Sequence, residues 1–339
     1  MRRRSFQLLI VAALAMAGLA AFVASRGDRD ASRAPAGQRA LPELADKLAD
    51  LAWLRLTRGA VTVNFAAIDH RWAVVEKGNY SADQDRVRKL LLQLAELELI
   101  ETKTDQPELL ARLDLDDPAN GKSTLVAAQD RTGKLVGQII IGRRRPNDIG
   151  GGDQGVYVRK PDSEQAWLAR GSFDLGGDAL AWVDRRVIDI APARVASVVL
   201  TARDGATTVV ARKSADLPFA IDDLPADARP KPDEALAAPA GALEALDLVD
   251  VKPAAEQPIP QEGAATASFT TFDGLVVGLR LSPPDAGDWL AIDVTGSDKG
   301  EADAKVLSAR LSHWSFAIPA ARAKLLRTTL SDLLLPHGS

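Results

Sequence analysis

Residues 51–103 read LAWLRLTRGAVTVNFAAIDHRWAVVEKGNYSADQDRVRKLLLQLAELELIETK. Apolar and polar side chains alternate at 54–57 and 61–63, and residues 72–75 form another short run of strand-forming residues. Successive side chains of a strand point to opposite faces, so these three segments predict β-strands.

A helix and a further strand follow in the same stretch. Ser81 and Gln84 fit a capping box, so we expect Ser81 to cap a helix. Apolar side chains then recur every three or four positions, at Val87, Leu90, Leu91, Leu94 and Leu97. This period places them on one helical face. Residues 98–103 predict the next strand.

Similar elements continue to the end of the chain. A turn at 130–133 separates predicted strands at 124–129 and 135–142, and residues 155–160 predict a hairpin with 165–170. Residues 109–113 predict a helical turn. Longer helices are predicted at 233–246, 301–312 and 319–335, where Pro319 suits a first helical position. We therefore predict an α+β fold with antiparallel sheets.

The order of these elements occurs twice. Residues 198–201, 219–221 and 248–252 repeat the character of 54–57, 72–74 and 99–103 at nearly constant spacing, and the strand after 272–274 repeats the strand after 131–133. This spacing predicts an internal duplication, with one α+β repeat at 43–192 and a second at 193–339. Two unrelated α+β segments of similar strand content are the alternative.

The N-terminus predicts a membrane segment. Arg2, Arg3 and Arg4 precede an uncharged stretch at 5–25, and about 20 such residues cross a bilayer as a helix. The three arginines should stay cytoplasmic, which places the bulk of the chain in the periplasm. We therefore predict a single-pass inner-membrane anchor at 1–25 and a flexible tether at 26–42. A cleaved signal peptide is the alternative.

The composition of the chain excludes several kinds of functional site. The chain has 339 residues, a net charge of −4 and no cysteine. Absence of cysteine excludes disulfides, thiolate nucleophiles and Cys-ligated zinc. The acidic balance gives no support to a nucleic-acid partner, because phosphate binding needs clustered Lys and Arg.

Two segments invite a phosphate-binding interpretation. Residues 120–124, NGKST, resemble the end of a P-loop, but Asp116 stands where that loop needs its first glycine. A loop leading into a strand is the better interpretation. Arg143, Arg144 and Arg145 precede three glycines at 150–152, and such a loop can hold an anion or form a mobile hairpin tip.

Other reactive side chains form no recognisable catalytic pattern. His70, His313 and His337 are scattered along the chain. An acidic turn before Pro118 holds Asp114, Asp116 and Asp117 without the glycine and glutamate of a calcium loop. The sequence predicts no catalytic, cofactor or metal site. Paired carboxylates assembled by the fold remain open.

The tryptophans offer two interpretations. They stand at 53, 72, 167, 182, 289 and 314, within strand-like or amphipathic stretches. Anchoring the core is the default expectation for them. A surface platform for glycans or proteins is the alternative.

Several segments resemble a bacterial family of domains of unknown function. They are residues 72–83, 111–118, 155–159, 167–170 and 182–190, and the resemblance covers roughly residues 45–200. It implies one N-terminal membrane segment and genes often placed beside ABC-type transporter components similar to the gliding-motility GldG type. It implies no catalytic residues.

We therefore expect a non-enzymatic, membrane-anchored accessory protein of the envelope. The inner membrane and an ABC-type transporter permease or GldG-like auxiliary subunit are its expected partners. A module that binds glycans or small ligands is one alternative. A hydrolase with carboxylates assembled by the fold is the other.

Overall fold

The structure, a computed structural model, describes residues 37–145 and 154–336. Their contacts divide the chain into two compact units. Of the described residues, the first takes those up to Thr62 and those between 88 and 176, and the second takes 63–87 and those from 177 onward. Each unit is built around antiparallel β-sheet.

Short strands make up most of the regular structure. The strands are β1 Gln38–Arg39, β2 Leu51–Arg58, β3 Val61–Ile68, β4 Arg71–Val74, β5 Tyr80–Ser81, β6 Glu98–Thr102, β7 Thr124–Asp130, β8 Leu135–Arg144, β9 Gly155–Arg159, β10 Ala166–Arg170, β11 Arg186–Ile188, β12 Val195–Thr201, β13 Thr207–Ala211, β14 Ala220–Ile221, β15 Leu246–Asp247, β16 Asp250–Pro253, β17 Ala265–Thr271, β18 Leu275–Leu281, β19 Trp289–Gly296 and β20 Trp314–Ala317. The helices are α1 Pro42–Asp46, α2 Gln84–Ala95, α3 Pro107–Leu110, α4 Asp233–Ala237, α5 Glu301–Leu311, α6 Ala320–Leu326 and α7 Leu330–Leu333.

In the first unit the strands follow the hydrogen-bonded order β1-β6-β10-β9-β8-β7-β2, with every pair antiparallel. Alternate side chains of β7 are buried, as expected when one face of a sheet covers a core. The largest fully buried side chains of this unit are Leu44, Leu54, Leu94, Leu97, Leu115, Ile139 and Leu168.

The second unit contains a sheet of eight strands in the order β14-β13-β12-β17-β18-β19-β20-β16. Strands β3, β4 and β5 pair in sequence in the same unit, and β11 pairs with β15. Side chains of β17 and β18 alternate strictly between buried and half-buried. Trp182, Phe65, Phe269 and Phe316 are its largest buried side chains.

The predicted mixture of helices with antiparallel sheets is confirmed. Strands are present at all the predicted places: 54–57, 61–63, 72–75, 98–103, 124–129, 135–142, 155–160 and 165–170. Most bounds agree within two residues, but β2 begins three residues earlier than predicted and β3 ends five residues later. The two hairpins pair as predicted, β7 with β8 and β9 with β10. These predictions rest on the alternation of apolar and polar residues. The alternation identifies the buried face of each strand, and burial of that face fixes the register.

The predicted cap of helix α2 is wrong. Ser81 lies in β5, which pairs with β4, so the helix begins later, at Gln84. Asp83 takes the capping position and accepts a hydrogen bond from the Arg86 amide at 3.0 Å. The Gln84 side chain instead binds both backbone groups of Trp72, accepting at 2.9 Å and donating at 2.7 Å.

Two of the predicted helices are shorter than expected. The helix predicted at 233–246 ends as an α-helix at Ala237 and continues as 3-10 turns over Ala238–Leu243, where Pro239 lacks the amide hydrogen that an α-helix needs. The helix predicted at 319–335 divides into α6 and α7. Thr329 and Asp332 form a capping box that starts α7 anew.

Within residues 37–145 and 154–336, no helix is long and apolar enough to cross a membrane. The segment predicted to do so, residues 6–25, lies outside the described residues, as does most of the predicted tether.

Candidate functional site

A cleft of about 260 Å³ lies in the first unit, where β2 and β8 end and β7 begins. Charged side chains dominate its lining: Arg58, Lys122, Arg143 and Arg144 are the cations, and Asp114 and Asp174 are the carboxylates. Thr124, Ile141, Gly142, Val156, Phe173, Leu175 and Gly176 complete it. These residues come from six separate segments of the chain.

The pairing of three strands brings the cations together. Leu125 of β7 pairs with Thr57 of β2 on one side and with Ile140 of β8 on the other. The ends of β2 and β8 therefore flank the start of β7. Because neighbouring strands lie about 4.8 Å apart, side chains from these ends can reach one ligand.

An irregularity in β8 shapes the cleft wall. Ile141 pairs with Val158 of β9 and Arg144 with Val156, so three steps along β8 match two along β9. Such a bulge changes the direction of side chains and is common beside functional sites. Here it falls on Gly142 and Arg143, both of which line the cleft.

A turn packs directly on this bulge. A Cβ atom at position 142 would stand 2.7 Å from the carbonyl oxygen of Asp114 and closer still to that of Leu113. Only glycine fits this close approach without moving backbone. Asp114 itself has a left-handed backbone, with φ 53°, and ends a 3-10 turn at Ala111–Leu113.

The loop that carries Lys122 is fastened to the end of β2. The Gly59 amide donates to the Pro118 carbonyl at 2.7 Å, and Arg58 Nε donates to the Gly121 carbonyl at 3.1 Å. Gly59 and Gly121 both adopt positive φ, at +58° and +88°. These bonds hold Lys122 beside Arg58.

The opposite wall is held by Arg144. Its Nη2 donates to the Phe173 carbonyl at 2.6 Å and thereby ties the segment 173–176 to the end of β8. The neighbouring Arg143 guanidinium lies 5.9 Å from the centre of the Tyr157 ring, within reach of a cation–π contact.

The cleft carries a positive balance, with four cations against two carboxylates. Among the described residues, none of the four cations forms an ion pair. Arginine offers planar donors suited to carboxylate and phosphate, and lysine offers a compact charge. The arrangement can hold an anion.

The structure joins the two segments that suggested phosphate binding. Residues 120–124 form a loop leading into β7, as predicted, and 143–145 close β8. Lys122 and Arg143 thus meet in one cleft, which we did not predict. Extending the register that pairs Thr124 with Ile141 places 122 opposite 143. Arg58 and Asp174 carried no sequence signal, and glycines 150–152 lie outside the described residues.

The other reactive residues lie elsewhere. His70 is exposed in the turn between β3 and β4, His313 is exposed ahead of β20, and His337 lies outside the described residues. Asp117 caps a 3-10 turn at Pro118–Asn120 by accepting from the Ala119 amide at 2.9 Å. This confirms the acidic turn. Within the described ranges, no group of three or more His, Asp or Glu is placed to hold a metal.

The tryptophans do not behave alike. Trp182 is fully buried, and Phe65 meets it edge to face at a centroid distance of 5.3 Å. The expectation of core anchoring is wrong for Trp53, which is 46% exposed because it lies on an outward-facing position of β2. Trp72, Trp167, Trp289 and Trp314 are half-buried.

Two carboxyl groups whose pKa is lowered lie at turns. A hydrogen bond from the Thr132 hydroxyl lowers the pKa of Asp130 in the β7–β8 turn. A bond from the Thr329 amide lowers the pKa of Asp332 at the start of α7. Both groups are therefore held ionised, which suits structural acceptors better than proton donors.

The second unit has a separate, mainly apolar cleft of about 300 Å³. It lies between the end of β12, the start of β17 and the end of α6, and Leu200, Ala265 and Leu326 contribute to its wall. Arg327 also lines it and is held by Asp288 at 2.6 Å and by the Ser282 carbonyl at 3.2 Å. Such a cleft suits a small ligand with an apolar body.

Comparison with known proteins identifies a family and nothing more specific. The model of the family described as "Domain of unknown function (DUF4340)" matches residues 72–260, which is more than half of the chain. No curated protein and no solved structure shows a significant match.

Proposed function

We propose that this chain, which belongs to the DUF4340 family, is a non-enzymatic accessory protein of the cell envelope. In this proposal residues 6–25 anchor it in the inner membrane and the bulk of the chain lies in the periplasm. The order of charges carries the proposal: Arg2, Arg3 and Arg4 precede a segment, 5–25, that has no charged residue. This order favours a cytoplasmic N-terminus.

Topology is tested with a fusion of alkaline phosphatase, which is active only outside the cytoplasm, to the C-terminus of the full chain. We expect high phosphatase activity and retention in the membrane pellet after carbonate extraction. The matched control lacks residues 5–25 and should give an inactive, soluble fusion. Activity together with release by carbonate would favour a cleaved signal peptide. An inactive full-length fusion would contradict a periplasmic location.

The proposed mode of action is binding. Arginine stays protonated at any physiological pH, so the arginine-rich cleft of the first unit is suited to holding a ligand rather than to transferring protons. This supports a non-enzymatic role.

We propose a permease of an ABC-type transporter, or its GldG-like auxiliary subunit, as the partner. The resemblance in sequence suggests this pairing. In-cell crosslinking of the tagged full chain, followed by purification from solubilised membranes, tests it. Stoichiometric recovery of such a subunit is the expected result. Recovery of the chain alone would remove the argument for a stable complex.

A second candidate function is that of a module binding glycans or small ligands. The apolar cleft between β12, β17 and α6 favours it, because its wall combines Leu200 and Leu326 with the guanidinium of Arg327. Thermal-shift measurements against envelope glycans and small acyl compounds test it. A stabilised full chain would support this function, provided that Leu326→Ala abolishes the shift.

We also infer that the chain arose by internal duplication. The strand order supports this inference: the first unit contains β6-β10-β9-β8-β7-β2, and the second contains β16-β20-β19-β18-β17-β12. Read along the chain, each strand of one series has its counterpart in the other. Superposition of the two six-stranded cores in an experimental structure would test the inference, and a failure to overlay would contradict it.

A further inference from the structure

We propose that the basic cleft of the first unit binds a phosphate group, as a phosphomonoester or a phosphomonoester headgroup. The proposal goes beyond the anchored accessory role and does not depend on it. Its basis is the meeting of Lys122 and Arg143 with Arg58, three cations that lie far apart in the sequence and line one cleft.

The cleft has the features of a preorganised site. Arg58 is fixed by its bond to the Gly121 carbonyl at 3.1 Å, and Arg144 by its bond to the Phe173 carbonyl at 2.6 Å. Each of these bonds uses one nitrogen, so both guanidinium groups keep further donors. Ordering of donors before the ligand arrives lowers the entropic cost of binding.

Lys122 and Arg143 supply charge that no ion pair within the described residues neutralises. Both side chains are exposed, and in the described part of the chain neither takes part in a hydrogen bond or ion pair. Their charges are therefore available to a ligand. Charge-assisted bonds of this type are about twice as strong as neutral ones.

The two carboxylates of the cleft help to select the ligand. Asp114 and Asp174 offset part of the positive charge, so a singly charged anion gains little on entering. A dianion gains more because electrostatic attraction scales with charge. A phosphomonoester carries about two negative charges at pH 8 and offers three acceptor oxygens. A carboxylate offers two oxygens and one charge.

The strands that form the cleft also provide a matched control. Arg131 and Lys134 lie in the turn at the other end of β7 and β8, and both are exposed. The length of β7 puts about 20 Å between them and the cleft. The test variant is therefore the double substitution Lys122→Gln with Arg143→Gln, and the control is the double substitution Arg131→Gln with Lys134→Gln. Each removes two positive charges from the same unit.

Titration calorimetry of the full-length chain in a non-ionic detergent tests the proposal, with glycerol 3-phosphate as the probe at pH 8. We expect saturable binding that Lys122→Gln with Arg143→Gln weakens at least about tenfold, because each lost bond to a charged group costs that much or more. Arg131→Gln with Lys134→Gln should bind within about twofold of the native chain. Far-ultraviolet circular dichroism checks that both variants are folded.

Two further arms identify the source of the phosphate. The same titration is made with mixed micelles containing phosphatidic acid, and with phosphatidylcholine for comparison. Binding of glycerol 3-phosphate supports a soluble ester. Binding confined to phosphatidic acid, and lost in Lys122→Gln with Arg143→Gln, supports a lipid headgroup. The proposal is overturned if neither probe binds, if both double variants lose binding equally, or if acetate, a singly charged carboxylate, competes as well as inorganic phosphate.

Discussion

The backbone of Asp114 lies against Gly142 so closely that its carbonyl oxygen would stand 2.7 Å from a side-chain carbon at position 142. This contact fixes the turn at 111–114 against the bulge of β8. The bulge in turn carries Arg143 into the basic cleft. The absence of a side chain at Gly142 therefore determines the geometry of the candidate site.

Gly142→Ala should destabilise the protein, because the added methyl group meets backbone oxygens on an adjacent turn and neither strand nor turn can move freely. We expect a loss of about 1–3 kcal/mol in the free energy of unfolding, measured by urea denaturation. Gly137→Ala in the same strand is the control, since its nearest neighbour would be a leucine methyl at an ordinary 3.4 Å. Equal stability of the two variants would show that the turn does not rest on Gly142.

Arg144→Met should loosen one wall of the cleft. The variant keeps an unbranched, mainly apolar stem but removes the donor to the Phe173 carbonyl, a bond of 2.6 Å. We expect the amides of residues 173–176 to exchange hydrogen about ten times faster, since a bond to a charged group contributes about 1.5 kcal/mol or more. Exchange mass spectrometry measures this. Arg131→Met, in the distant hairpin turn, should leave the rate unchanged, and a similar rate in both variants would refute the role of Arg144.

The strands were predictable because their information is local. Residues 54–57 and 124–129 alternate between apolar and polar side chains, and the pattern alone assigns each side chain to a face. The cap of α2 was not predictable in this way. Ser81 suits a helix cap as well as Asp83 does, and the choice depends on the pairing of β5 with β4.

Only part of the basic cleft could be predicted from the sequence. The hairpin around 130–133 was predicted, but its register was not, because a bulge at Ala128–Gln129 shifts the pairing by one residue. A shift of one residue sends a side chain to the other face of a sheet. The sequence therefore identified Lys122 and Arg143 as basic residues but gave no means of placing them together.

The turn between β17 and β18 should make stability depend on acidic pH. A hydrogen bond from the Thr271 hydroxyl lowers the pKa of Asp273, and Arg194, 2.7 Å from the carboxylate, lowers it further. A carboxyl group with a lowered pKa stabilises the folded state above its ordinary value of 3.8, and that contribution is lost as the pH falls below this value.

Asp273→Asn removes the charge at nearly constant size. We expect the variant to be less stable than the native chain at pH 7 and the difference to shrink as the pH falls below 4. Urea midpoints across this range measure it. Asp285→Asn is the control, because Asp285 is exposed in a turn and no bond to its side chain is present among the described contacts. A constant difference between native chain and variant would refute the linkage.

Tyr80 should make stability depend on alkaline pH. Burial against Trp314, at a centroid distance of 4.9 Å, raises the pKa of the Tyr80 phenol above its ordinary 10.0, and the charge of Asp184 raises it further. The neutral phenol therefore stabilises the fold below pH 10, and this contribution is lost as the pH rises further. Tyr80→Phe keeps the ring contacts and should lose less stability above pH 10 than the native chain. Tyr157→Phe, at the other tyrosine, is the control, and identical alkaline curves for native chain and Tyr80→Phe would contradict the assignment.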